Sequence, residues 1–146
     1  MSGSTEPGRV LALDPGEKRV GYAFSDPTRT LATPGGAFPN EGYDASVRRV
    51  QAVVAGQGVT LVLVGLPLKP DGSEREGSTK ARRLARKLAD ALKLPVELVD
   101  ETCTSVEADD LLGQARPTKR RKPATSGERD AAAAAVILRG WLERPR

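Results

Sequence analysis

Three observations predict an α/β domain built on a mixed sheet. Short apolar runs alternate with amphipathic, helix-length stretches. Three of those runs follow one another closely near the N-terminus, where short turns favour antiparallel pairing. The next two are each preceded by a helix-length segment, and strand–helix–strand links demand parallel pairing with right-handed crossovers.

The elements follow in order. Residues 1–8 are polar and read as a disordered lead-in to a single domain over 9–143. Arg9 to Asp14 (RVLALD) is a continuous apolar run ending in an acid, a buried strand closed by the turn dipeptide Pro15-Gly16. Arg19 to Ser25 is a second strand. Leu31 to Phe38 is a third, weakened by Pro34-Gly35-Gly36. Asp44 to Ala55 places Val47, Val50 and Val54 at helical spacing. Val59 to Gly65 (VTLVLVG) is apolar on both faces and belongs inside the sheet. Leu66 to Gly77 is a Pro/Gly/Ser-rich loop. Ser78 to Leu94 is a helix with Ala81, Leu84, Ala85, Leu88 and Leu92 on one stripe. Val96 to Asp100 is the last strand. Thr104-x-x-Glu107 and Thr125-x-x-Glu128 are capping boxes. They open a short helix through Leu112 and a final helix to about Glu143.

Composition narrows the chemistry. The 146 residues contain no histidine and one cysteine, Cys103. A Ser-His-Asp triad, a His-ligated metal, a Cys-cluster metal site and an intrachain disulfide are all excluded. A reducing cytoplasm fits that usage. No signal-peptide pattern is present, and no apolar run is long enough to span a bilayer. With five aromatic residues (Tyr22, Phe24, Phe38, Tyr43, Trp141), the core must be Val, Leu and Ala. The formal charge of +4 is compatible with a phosphate-rich partner.

Three acids stand out. Asp14 ends the first strand, Glu101 follows the last, and Asp130 lies early in the final helix. Parallel central strands bring the first two to one sheet edge, where open α/β folds bind ligands. Ala134, Ile137, Leu138 and Trp141 share the side of the helix that carries Asp130. An acid on that stripe needs a partner: a buried Arg, or a cation shared with Asp14 and Glu101. With oxygen ligands alone, the fitting ions are Mg²⁺ or Mn²⁺. Singly each acid has an ordinary structural role, in a turn, at a strand end or near a helix start; jointly they point to a metal site.

At these residues the sequence resembles a known family. Asp14-x-Gly16-x-Lys18-Arg19-x-Gly21 is similar to the opening signature of the YqgF/RuvX family, in the RNase H-like superfamily. Val64-Gly65-Leu66-Pro67 with Asp71-Gly72-Ser73 resembles its second motif, and Val99-Asp100-Glu101-Thr102-x-Thr104 its Asp-Glu-Arg-x-Thr/Ser motif. Asp130-Ala131-Ala132-Ala133-Ala134 with Ile137-Leu138 resembles its C-terminal helix. The resemblance implies an RNase H-like fold: a mixed five-stranded sheet with helices on both faces. It implies a metal-dependent nuclease, a Holliday-junction resolvase or an enzyme maturing the 5′ end of 16S ribosomal RNA. It carries catalytic and metal-binding roles onto Asp14, Glu101 and Asp130. Two-metal hydrolysis with Mg²⁺ or Mn²⁺ would have Asp14 bridging the ions. Thr102 stands where the family has Arg. A Lys usual before the last Asp is absent, and Arg129 is its candidate substitute.

The expected partner is branched DNA or a structured rRNA precursor, held by Lys18, Arg19, Lys119, Arg120, Arg121, Lys122 and Arg129. Residues 116–129 hold six basic residues and one acid, and four adjacent like charges usually have a partner. Arg82, Arg83, Arg86 and Lys87 read instead as a solvated helix face. Few aromatics are available to stack bases, which favours duplex or branched substrates over single strands. Junction cutting suits a homodimer, since two strands need two sites; RNA trimming needs a monomer only. Two rivals stand beside the nuclease. One is an actin/hexokinase-type ATPase, which needs a second domain to enclose its nucleotide. The other is a non-catalytic nucleic-acid-binding module of the same fold. Replacing Lys119, Arg120, Arg121 and Lys122 by Gln is expected to weaken nucleic-acid binding and flatten its salt dependence by about 3–4 units of log K per log salt. Fluorescence anisotropy across a salt series measures the slope.

Overall fold

The computed structural model describes residues 7–67, 77–101 and 125–144. Five strands, β1 (Arg9–Pro15), β2 (Arg19–Ser25), β3 (Ala32–Pro39), β4 (Val59–Pro67) and β5 (Val96–Glu101), form one sheet in the order β3-β2-β1-β4-β5. β1 pairs antiparallel with β2, and β2 with β3; β4 joins β1 in parallel, and β5 joins β4 in parallel. Among the described residues three helices cover the sheet: α1 (Tyr43–Val54), α2 (Gly77–Leu92) and α3 (Ser126–Leu142). The expected mixed sheet with helices on both faces is the observed one. The short helix expected from Thr104, most of the 66–77 loop and the basic run Lys119 to Lys122 lie outside the described residues.

Strand alternation sorts the core into two layers. Leu11, Leu13, Val20, Val62, Val64 and Leu66 pack with Val50 of α1 and with Leu84 and Leu88 of α2. On the other face, Val10, Ala12, Ala23, Leu61, Leu63 and Val99 meet Ala134, Ala135, Ile137, Leu138 and Trp141 of α3. The first layer is made of branched side chains and the Phe38 ring. The second is thin, because the alanines let α3 lie close against β1, β2 and β3.

Three local outcomes differ from expectation. β3 runs through Pro34-Gly35-Gly36 as an edge strand, its register to β2 shifting where Gly35 is passed over between Pro34 and Gly36, and the Tyr22 ring lies over the two glycines. A Cβ on Gly35 or Gly36 would come within 2.8 or 2.9 Å of that ring or its hydroxyl. α2 ends at Leu92, two residues early, where Lys93 turns left-handed (φ 58°) ahead of Pro95. Pro7 and Gly8, inside the expected lead-in, are tied into the fold. The Gly8 amide donates to the Pro27 carbonyl at 3.0 Å, and Thr60 Oγ1 donates to the Pro7 carbonyl at 2.9 Å. The α3 capping box is formed as expected: the Glu128 amide donates to Thr125 Oγ1 at 3.0 Å, and the Thr125 amide to Glu128 Oε1 at 3.3 Å. Among the described residues no helix is long and apolar enough to cross a membrane.

The β2–β3 turn is organised by Asp26. Its carboxylate accepts from the Thr28 hydroxyl, from the Thr30 amide and hydroxyl at 2.7 and 2.8 Å, and from the Leu31 amide at 2.8 Å. The Thr28 hydroxyl first, then the Leu31 amide, hold this carboxyl well below the usual carboxylate range. A lowered folded-state pKa contributes stability above the unfolded value, and that contribution is lost as pH falls further. Asp26→Asn is therefore expected to lower the urea midpoint at pH 7. It should also remove part of the decline that wild type shows below about pH 4, the ordinary carboxyl range.

Candidate active site

The chain topology gathers both central strand ends and the starts of α1, α2 and α3 at one rim. β1 and β4 are parallel, so their C-terminal ends, Asp14-Pro15 and Leu66-Pro67, share that rim. β5 ends there too, with Glu101 in register with Pro67. β2 begins at the rim, Val20 opposite Pro15, and β3 returns to it, Pro39 opposite Arg19.

Asp14 and Asp130 are brought together through Gly21. In the β1–β2 ladder Asp14 is the partner of Gly21. Asp14 follows Val10 and Ala12 in alternation, so its position falls on the α3 face. A Cβ built on Gly21 would lie 2.1 Å from the Asp130 carbonyl oxygen and 2.9 Å from its Cβ. Only glycine permits that approach, and it sets the α-carbons of the two acids within roughly 10 Å, one strand spacing plus a backbone contact. Glu101 is placed by its backbone alone. It lies at the same rim, two strands from β1 and two residues past Val99, a member of the α3-side layer.

Asp130 is half-buried, and the partner its stripe demands is an arginine. Arg19 Nε donates to Asp130 Oδ2 at 2.6 Å, with side-chain exposures of 38% and 28%. Arg19 sits two residues before Gly21, on the same face of β2, so one strand supplies both the gap that admits α3 and the cation that meets its acid. From sequence, Arg19 is expected to face nucleic acid, and a buried Arg or a shared cation is expected to partner Asp130; in the structure Arg19 itself is that partner. The signal that could have paired them is the i, i+2 spacing of Arg19 and Gly21. Lys18 is exposed at the β1–β2 turn, and Arg129 is exposed beside Asp130. Among the described residues no three acidic or cysteine side chains form a ready-made metal cluster; Asp14 and Asp130 are the two of the expected trio whose side chains are described.

Fold and rim together define an α/β domain of RNase H-like architecture. Two solved structures share the architecture. RuvC of Thermus thermophilus aligns with a TM-score of 0.56 at 16% identity, over 92% of this chain and 93% of its own. The fowlpox virus Holliday junction resolvase aligns with a TM-score of 0.58 at 12% identity, over 92% and 97%. The sequence is more specific. The profile of the family described as RuvX: Holliday junction resolvase matches residues 8–144, and the chain belongs to that family. Among its relatives, a protein of Roseiflexus sp. (strain RS-1), provisionally named pre-16S rRNA nuclease, is 34% identical over 98% of this chain and 99% of its own length. One from Chromobacterium violaceum with the same provisional name is 40% identical over 92% and 97%.

Gly21→Ala is expected to destabilise the protein by about 1–3 kcal/mol, because the new methyl meets backbone rather than a yielding side chain. Gly140→Ala, on the same α3 with open space around it, is expected to be neutral or stabilising. Urea unfolding of the two variants separates the effects.

Proposed function

We propose that this chain is a divalent-metal-dependent endonuclease hydrolysing phosphodiester bonds in structured nucleic acid, with Asp14, Glu101 and Asp130 as the metal ligands. The observation that carries the reading is the placement of all three acids at one rim, with Gly21 admitting Asp130 next to the Asp14 strand. Membership in a nuclease family supports it.

The residues fit Mg²⁺ or Mn²⁺. The donor set is carboxylate oxygen, hard ligands for hard ions, and Asp130 already draws a cationic group to 2.6 Å. Two such ions, when bound, would supply the nucleophile activation and leaving-group stabilisation for which a histidine-free chain has no side chain. The chain's own residues do the rest. Asp14 is held by the β1–β2 ladder, Asp130 by the helix and by Arg19, and Lys18 projects from the adjoining turn toward solvent, where a phosphate backbone would pass. Holliday junctions and pre-16S rRNA are the two substrates that the family description and the relatives' names bring forward. A homodimer accompanies the junction activity, since two strands are cut.

Asp14→Asn is expected to lower metal-dependent cleavage by at least about 10²-fold while nucleic-acid binding persists. The assay gives purified protein with Mn²⁺ or Mg²⁺ a four-way junction, a linear duplex and a structured RNA carrying the 16S 5′ leader. Wild-type rates in the Asp14 variant would refute the assignment, and the strand symmetry of the products identifies the substrate.

A further inference from the structure

Among the described residues, positive charge is concentrated on the layer that faces away from α3. α1 carries two cations and one acid, and α2 five cations and one acid. Those two helices are therefore net +5, more than the +4 of the whole chain. Arg48, Lys80, Arg83 and Lys87 are all exposed. We propose that the groove between α1 and α2 is a second nucleic-acid-binding surface, in which Lys80, Arg83, Lys87 and Arg48 hold the phosphate backbone of a substrate arm leaving the rim. The inference rests on the nuclease reading and extends it to a further part of the molecule.

Topology supports the path. α2 follows β4, which ends at the rim, and three residues separate α2 from β5, whose first residue pairs with Val62 near the start of β4. α2 therefore starts at the rim and descends the face. Lys80, Arg83 and Lys87 lie at i, i+3 and i+7, on one flank. That flank is turned to α1: the Arg83 guanidinium lies 5.7 Å and the Lys87 ammonium 5.9 Å from the centre of the Tyr43 ring. Lys80 to Lys87 spans about 10 Å of helix axis, some three base-pair steps of duplex. Arg48 continues the α1 side of the groove, one turn beyond Asp44.

The groove is also prepared for a phosphate. Tyr43 restrains two of the cations, which reduces the ordering cost of a new contact. The counter-charge is weak. Lys87 Nζ stands 3.9 Å from Asp44 Oδ1 with the two side chains 44% and 85% exposed. An exposed pair at that distance contributes little and yields readily to a stronger anion.

The test compares wild type with Lys80→Gln/Arg83→Gln/Lys87→Gln, and with the single Arg83→Gln variant in case the triple one fails to fold. Binding to a long-armed four-way junction, without divalent metal, is followed across a salt series. The triple variant is expected to lose about 2–3 units of salt slope and the single variant about 1. In cleavage assays KM for the long-armed junction rises and kcat holds. An unchanged salt slope in variants of a wild type that binds and cleaves would overturn this inference alone. Failure of the wild type to bind any of the nucleic acids would overturn the nuclease reading and this one with it.

Discussion

The contact between α3 and β2 at Gly21 is the constraint on which the rest of the molecule depends. A helix usually stands about one side-chain layer, near 10 Å, off a sheet. Here the absent Cβ of Gly21 lets the Asp130 backbone touch the strand, and the alanines that follow keep the helix close along β1 to β3. Because Gly21 is also the ladder partner of Asp14, one missing methyl brings an acid from residue 130 beside an acid from residue 14. No neighbouring segment of sequence could do this; it requires a sheet register and a helix docking that agree.

The Arg19–Asp130 ion pair belongs to the same contact, and its value is orientation. Both side chains are partly exposed, so solvent screens their attraction and the pair adds little to stability. What the 2.6 Å bond does is fix the rotamer of an acid that would otherwise swing between sheet and water. It also offsets negative charge at a rim where acids meet. Were a metal ion to bind at Asp130, it and the guanidinium of Arg19 would compete for the same carboxylate, so the two charges would be thermodynamically linked at that point.

Much of the fold was legible because its signals are local. The Arg9 to Asp14 and Val59 to Gly65 runs, the valine spacing of α1 and the Thr125–Glu128 box each specify an element from a few residues. Chain connectivity then dictates antiparallel strands first and parallel strands after. The β3 strand was less legible, since the support for Gly35-Gly36 is a ring from the neighbouring strand, Tyr22. In the site, the three acids could be selected by position and residue type. The partner of Asp130 could not, because it depends on which face of β2 meets α3, a fact of packing. The groove beside Tyr43 was invisible for the same reason: Arg83 and Lys87 read as an ordinary polar helix face until Tyr43, forty residues earlier, is set against them.

The two layers of the core imply opposite tolerances. Behind α1 and α2, where Leu84, Leu88, Val50 and Phe38 fill a deep layer, harm comes from truncation, which leaves holes. Behind α3, at Ala12, Ala23, Ala134 and Ala135, which have no bulk to lose, harm comes from enlargement, which would lever the helix and its acid away from the strand ends. In a library of random variants, the survivors on one side of the sheet would be those that keep their bulk. At the four alanine positions on the other side they would be those that stay small.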